Sequence, residues 1–223
     1  MKFFADTANL EDLTELISLG VVDGCTTNPL IIAREQHHDI ERHLKEVLQL
    51  VEGPVSIEVT SNDYEEMIKQ AREFNSWAKN VVVKIPMNKE GMRAVATLKK
   101  EGIKTNVTAC MSTKQAIFAA KAGADYVSLF WGRIDDMGHD AKYIADEVAE
   151  IFKRHNMRTE IIVGSLRSQS NLNDAMKSGA HILTIPPKLF NNMIHHPRTE
   201  STIQEFLDNW DAFIKTSEPI KKT

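Results

Sequence analysis

Lys84 stands in the run Val81-Val82-Val83-Lys84-Ile85-Pro86, whose other residues describe a buried strand. Taking a bare ammonium out of water costs several kcal/mol, so such a lysine either reaches solvent past the strand end or is buried among partners. In the second case it is placed to lose its proton, and the free amine attacks a carbonyl carbon to form a Schiff base. That chemistry needs proton carriers, to dehydrate the carbinolamine and to move the proton of a substrate hydroxyl while a carbon–carbon bond breaks. Two acids stand at strand ends: Asp6, after Phe3-Phe4-Ala5, and Glu58, within Ile57-Glu58-Val59. Asp6 could equally cap the helix that follows, whereas Glu58 has a branched neighbour on each side and is harder to assign to solvent. Arg133, Ser165 and Arg167 follow two later apolar runs. Arginine forks bind phosphate in bidentate fashion. Two ordinary surface arginines are the plainer alternative; a sugar phosphate is the substrate that all these residues together imply.

The elements that must position these groups alternate. Eight short apolar runs read as strands: Phe3-Phe4-Ala5, Val21-Val22, Val55 to Val59, Val81 to Ile85, Ile103 to Val107, Tyr126 to Phe130, Ile161-Ile162-Val163, and Ile182 to Ile185. Between them run stripes of helical period, among them Ile40, Leu44, Val47, Leu48 and Val51, then Tyr64, Met67, Ile68, Ala71 and Phe74. Ile144, Ala145, Val148, Ile151 and Phe152 form another. Gly20, Gly102, Gly123 and Gly179 each precede a small or branched residue at a helix-to-strand joint, which predicts left-handed helix ends. Strand and helix alternation implies parallel strands with helices outside them, in an open sheet or a closed barrel. Polar residues favour the barrel, because they cluster at most of the strand ends: Asp6, Thr26-Thr27-Asn28, Glu58, Lys84, Asn106 and Thr108, Ser128, Ser165 and Arg167. Thr26/Asn28, Asn106/Thr108, Ser128/Phe130 and Ser165/Arg167 are each two apart, so each pair faces the lumen side of its strand. The expectation is an α/β chain, a (β/α)8 TIM barrel forming one domain over residues 1–223. A surplus amphipathic helix at about 200–215 carries Ile203, Phe206, Leu207, Trp210 and Phe213.

Composition narrows the function classes. The chain of 223 residues is 42% hydrophobic and 26% charged, which is ordinary globular usage and argues against disorder or fibrous repeats. A net charge of -4 without a basic run makes nucleic acid an unlikely partner. No apolar stretch approaches the roughly 20 residues of a membrane helix. Asp6 interrupts any signal-like start, and Cys25 and Cys110 lie in apolar contexts, so a disulfide scaffold is not expected and a reducing cytosol is the natural setting. His37-His38 and His195-His196 lack the spacing of a helical metal site, and neither cysteine has a partner at zinc-ligand spacing, so no metal is expected. No Gly-rich phosphate loop is present, so no nucleotide cofactor is indicated.

Phe4-Ala5-Asp6-Thr7-Ala8, Thr26-Thr27-Asn28-Pro29, Val82-Val83-Lys84-Ile85-Pro86, Thr105-Asn106-Val107-Thr108 and Gly132-Arg133-Ile134-Asp135 closely resemble the transaldolase family, in its short branch that includes the fructose-6-phosphate aldolases. The likeness covers nearly the whole chain. It implies a class I aldolase-type barrel without a metal or other cofactor, in which Lys84 forms the Schiff base with a ketose phosphate and Asp6 handles the proton of the hydroxyl next to the breaking bond. By the same resemblance Glu58 and Thr108 hold the water that relays protons. Thr26, Asn28, Asn106 and Ser128 position the dihydroxyacetone unit, and Arg133, Ser165 and Arg167 hold phosphate. Glu58 and Phe130 match transaldolases, where the aldolases tend to have Gln and Tyr; a tyrosine hydroxyl there would help water release dihydroxyacetone. The implied activity is transfer of dihydroxyacetone from sedoheptulose 7-phosphate or fructose 6-phosphate to glyceraldehyde 3-phosphate or erythrose 4-phosphate, in the pentose phosphate pathway. The alternatives are cleavage to free dihydroxyacetone and a non-catalytic sugar-phosphate-binding barrel. Members of this branch often assemble as pentamers or decamers through the C-terminal helix, so a homo-oligomer is expected. Leu129, Trp131 and Gly164 depart from the family pattern, and Trp131 is expected to put a large ring beside the mouth.

Overall fold

A computed structural model of the chain describes residues 1–36 and 39–216. Eight parallel strands close into a barrel in sequence order: β1 (Lys2–Asp6), β2 (Gly24–Thr26), β3 (Val55–Glu58), β4 (Val81–Pro86), β5 (Thr105–Cys110), β6 (Tyr126–Phe130), β7 (Glu160–Gly164) and β8 (Ile182–Ile185). The fold is therefore a (β/α)8 TIM barrel. Helices follow the strands: α1 (Leu10–Ser18), α2 (Pro29–Arg34), α3 (Ile40–Leu50), α4 (Tyr64–Trp77), α5 (Lys89–Lys100), α6 (Thr113–Ala122), α7 (Trp131–Asp136), α8 (Ala141–Arg154), α9 (Gln169–Met176) and α10 (Pro187–Ile194). A further helix, α11 (Pro197–Thr216), brackets the segment expected at about 200–215.

Two apolar cores divide the interior. The larger lies between strands and helices and takes in Val81, Val83, Ile85, Val107, Leu129 and Leu183 with Leu44, Met67, Val95 and Val148 from the helices. The smaller comprises Phe4, Val82, Tyr126, Ile162 and Ile182. Each of these five precedes by two positions a residue nearer the strand's C-terminal end, so both members of each pair point into the lumen. Above Phe4, Val82, Tyr126, Ile162 and Ile182 stand Asp6, Lys84, Ser128, Gly164 and Thr184. The lumen is an apolar plug below and a polar layer above.

The loops leaving the strand tops end in helix caps. Side-chain oxygens of Asn9, Asn28, Asp63, Asn88, Ser112, Asp140 and Ser168 each accept from a backbone N–H in the first turn of the following helix, satisfying donors that the helix itself cannot. Asn9 caps α1, which frees Asp6 from that alternative role.

Several expectations are corrected. Val21-Val22 is not the second strand; it lies between α1 and β2, and the strand runs through Gly24-Cys25-Thr26. Only a small residue fits there, because a Cβ on Gly24 would come within 2.6 Å of Phe4 Cε1. The fifth strand starts at Thr105, beyond Ile103. Gly20, Gly102 and Gly123 do take the left-handed conformation, but Gly179 does not: its missing side chain instead admits α8, since a Cβ would lie 2.3 Å from that of Ala149. His37 and His38 lie outside the described residues. His195 pairs with Glu200 at 3.2 Å, and His196 Nδ1 accepts from the Arg198 backbone N–H. Among the described residues no helix is long and apolar enough to cross a membrane.

Candidate active site

Lys84 lies on β4 between the other two polar strands of the lumen's near side, in register with Glu58 on β3 and Asn106 on β5. It is 4% exposed. Its Nζ stands 3.1 Å from Glu58 Oε2 and donates to the Thr27 carbonyl oxygen at 3.1 Å. The Phe130 ring centre lies 5.9 Å away. The buried Lys84 nitrogen therefore has one carboxylate and one carbonyl beside it, the pairing that makes burial of an ammonium tolerable.

Asp6 occupies the top of β1. Thr26, its register partner on β2, donates from Oγ1 to Asp6 Oδ1 at 2.7 Å and lies 2.5 Å from Thr184 Oγ1 on β8. Burial pushes the Asp6 carboxyl above the ordinary carboxylate range, and Lys84, the Thr26 hydroxyl and Arg34 pull the other way without cancelling it. A carboxylate held in this way is a better proton acceptor than one in water. Below it a second chain of bonds crosses the lumen, with Ser128 Oγ donating to Asn106 Oδ1 at 2.8 Å and Asn106 Nδ2 donating to Ser56 Oγ at 3.1 Å. Thr108 Oγ1 is buried on the cavity wall and has no hydrogen-bond partner among the described residues.

These groups open onto one cavity of about 590 Å³, which Asp6, Thr26, Asn28, Glu58, Lys84, Thr108, Ser128, Phe130, Arg133, Ser165 and Arg167 all line. Of the residues given a catalytic or binding role from sequence, Asn106 alone does not line it; it lies fully buried, bonded to Ser128 and Ser56. The rim is built on β6 and β7. Ser165 adopts a left-handed backbone (φ 59), a conformation that costs a non-glycine residue about 1–2 kcal/mol and is held in place here by the Gly132 N–H, which donates to the Ser165 carbonyl at 3.1 Å. Gly132 must lack a side chain, because a Cβ would lie 2.6 Å from both that carbonyl and Arg167 Nε. Arg167 makes a bidentate pair with Asp136 at 2.7 and 2.8 Å, which fixes its fork and holds the Asp136 carboxyl below its usual range.

Two side chains at the mouth escaped the sequence reading, Thr184 and Arg34, as did Ser56, which is buried outside the cavity lining and accepts from Asn106. Thr184 supplies the eighth strand end, and its polarity two positions after Ile182 was the available signal. Arg34 sits in the last turn of α2, a helix too short to show a period. The expectation for Trp131 is overturned: it begins α7, is 4% exposed, and packs in the outer core away from the cavity. Gly164 does line the cavity, where a Cβ would meet Thr184 Cγ2 at 2.9 Å.

The family profile described as transaldolase/fructose-6-phosphate aldolase matches residues 3–221. The chain belongs to this family. It is 50% identical over 212 residues to a probable transaldolase of Methanococcus maripaludis, covering 95% of this chain and 98% of that protein. A probable transaldolase of Lactiplantibacillus plantarum is 47% identical over 216 residues, covering 97% and 99%. That of Symbiobacterium thermophilum is 45% identical over 212 residues, covering 95% and 98%. The family membership makes the protein an aldolase- or transaldolase-type enzyme.

Proposed function

We propose that the protein transfers a dihydroxyacetone group from a ketose phosphate to an aldose phosphate through a Schiff base on Lys84. The observation that carries this reading is the buried Lys84 amine, 3.1 Å from Glu58, at the floor of a cavity whose rim bears Arg133, Ser165 and Arg167. Lys84 Nζ, having passed a proton to Glu58, attacks C2 of the ketose; the carbinolamine oxygen leaves as water after protonation from Glu58, giving the iminium. Asp6 takes the proton of the C4 hydroxyl, the C3–C4 bonding electrons flow into the iminium to give an enamine, and the aldose phosphate departs with a new aldehyde. A second aldose phosphate takes its place, the enamine attacks its carbonyl carbon, and Asp6 returns the proton to the new hydroxyl; water then adds to the new iminium carbon, and collapse of the carbinolamine releases the ketose phosphate and returns the Lys84 amine. Thr108, with its unpartnered hydroxyl, fits a water beside the imine. Ser128, held by Asn106 and through it by Ser56, presents a hydroxyl to the donor's first carbons, with Thr26 and Asn28 on the cavity wall beside Asp6. Asn28's carboxamide oxygen is already engaged in capping α2, leaving its amide N–H groups for the substrate.

Transfer rather than cleavage is favoured by Phe130, which places a ring and no hydroxyl over Lys84. Fructose 6-phosphate supplied with erythrose 4-phosphate should give sedoheptulose 7-phosphate, and without an acceptor should give little free dihydroxyacetone. Phe130→Tyr is expected to raise acceptor-independent release of dihydroxyacetone, with packing little changed because the ring is retained. The quantity to measure is the ratio of free dihydroxyacetone to transferred product in parent and variant. A parent that releases dihydroxyacetone as fast as it transfers it would replace transfer by aldol cleavage as the activity.

We propose also that the chain works as a homo-oligomer docked through α11. That helix has no buried residue, and Ile203, Phe206, Leu207, Trp210, Phe213 and Ile214 on it are each more than half exposed. An apolar patch of that size on an isolated chain marks an interaction surface. Light scattering should return several times the 25.2 kDa chain mass, and the double change Phe206→Glu, Trp210→Glu should lower it. A monomeric parent would remove this proposal.

A further inference from the structure

The closed barrel sets its eight strands in sequence order, so β2 and β6 stand on opposite sides of the mouth. Arg133 follows β6, three residues after its last position, and Arg34 follows β2. Both line the same cavity, and among the described residues neither is in an ion pair or hydrogen bond, unlike Arg167, which Asp136 holds. The wall leading to Arg34 is apolar. Leu30 and Ile31, four and three residues before it, share its helix face and line the cavity with it, so this wall offers no other charge to an anion. Glu35, the neighbouring acid, is turned aside to accept from Asn9 Nδ2 at 3.0 Å. The helix has Pro29 at its start and its cap at Asn28, which places Arg34 about 7 Å along the helix axis from Pro29, within electrostatic reach of Asp6 and on the cavity wall.

We infer that Arg34 is a second anion contact of the site, taking the terminal phosphate of the sugar from the rim opposite Arg133. This rests on the transfer reading for the identity of the sugar, though not for the presence of the anion site. The reacting carbons are fixed at the floor by Lys84 and Asp6, so the tail of the aldose phosphate projects outward between the two rims. A phosphate carries enough acceptor oxygens for guanidinium groups on both sides, and a cation on each rim brackets it where one alone would leave half its oxygens to water. Arg34 therefore acts as a specificity-determining residue, favouring phosphorylated over unphosphorylated acceptors.

The test compares the parent, Arg34→Ala, Arg34→Lys and Arg133→Ala in two measurements. In the first, inorganic phosphate is titrated into each protein without sugar and its affinity read by calorimetry. Arg34→Ala should weaken it about three- to tenfold, less than a fully protected charge-assisted bond would give because the rim is exposed, and Arg34→Lys should restore part of the loss. In the second, the KM for erythrose 4-phosphate is divided by that for erythrose; the ratio should rise in Arg34→Ala by a similar factor, with kcat falling by less than KM rises. An unchanged phosphate affinity in Arg34→Ala overturns the inference. So does an equal change in both KM values, or a kcat loss accompanied by a shifted acid limb, which would mean that Arg34 works through Asp6. If the parent transfers no dihydroxyacetone group, the functional reading fails, and the phosphate titration alone still decides the role of Arg34.

Discussion

Borohydride reduction in the presence of fructose 6-phosphate is expected to attach the ketose skeleton to Lys84 and to no other lysine. Hydride reduces the C=N bond of the imine to a stable secondary amine, and peptide mass mapping locates it. The selectivity follows from position: Lys84 is buried at the floor of the cavity with Glu58 3.1 Å away, whereas the other lysines paired in the structure, such as Lys2, Lys45, Lys99 and Lys142, have side chains more than 40% exposed and pair with carboxylates at the surface. Lys84→Met, which keeps the apolar stem, should lower kcat by about 10⁴-fold or more, since loss of a covalent nucleophile removes the whole pathway and not one increment of it. Circular dichroism of the variant checks that it folds. An adduct on another lysine with Lys84 unmodified would overturn the mechanism.

Asp6→Asn should lower kcat by about 10²- to 10⁴-fold, the usual range for losing a positioned proton carrier, and at the same time make the protein more stable near neutral pH. Burial is the largest influence on Asp6 and raises its pKa in the fold. A group whose folded pKa lies above its unfolded one contributes stability at pH below the unfolded value and loses that contribution as pH rises through the folded value. At pH 7 Asp6, with its raised pKa, is therefore a net cost to the fold, and asparagine removes the titration while keeping an oxygen for the Thr26 hydroxyl. Melting temperatures of parent and variant should coincide near pH 4 and separate, variant higher, toward pH 7. The parent's kcat/KM should fall on an acid limb above the ordinary carboxylate range. A variant that is less stable at pH 7 would show that the partners of Asp6 outweigh its burial.

The fold and most of the site were legible because the barrel imposes two rules on the chain that survive as pattern. Outward-facing strand positions are apolar, and the polar exceptions fall at the last inward-facing positions, which is how Asp6, Glu58, Lys84, Thr108 and Ser128 were found before their geometry was known. Where the pattern broke, a local reason explains it. The second strand reads Gly24-Cys25-Thr26, with no branched aliphatic side chain, because Phe4 fills the lumen beside it, so the neighbouring valines drew the assignment to themselves. Thr184 is a β-branched residue within Ile182-Leu183-Thr184-Ile185 and looked like part of an apolar strand. Arg34 needed the path of a six-residue helix, and Trp131 needed the direction of the turn from strand into α7; neither is carried by periodicity. Asn106 was assigned to the substrate, whereas two neighbouring hydroxyls use its amide, a distinction that only distances could draw.

The two walls of the mouth are anchored unequally. On the side of β6 and β7, the hydrogen bond from the Gly132 N–H to the Ser165 carbonyl and the two hydrogen bonds that Arg167 donates to Asp136 tie α7 to the loop after β7, and α7 itself seats Trp131 and Ile134 in the outer core. On the other side, α2 carries no buried side chain. Separating the first wall from the barrel means breaking the Arg167–Asp136 ion pair and exposing core residues; displacing the second breaks the Asn28 cap and the Glu35–Asn9 bond and uncovers the partly buried Ile32. The mouth thus has one jaw pinned to the core and one pinned less firmly, so on the proposed activity substituents that differ in bulk are expected on the α2 side, while the jaw bearing Arg133, Ser165 and Arg167 would keep its spacing from Lys84 and act as the ruler for the substrate.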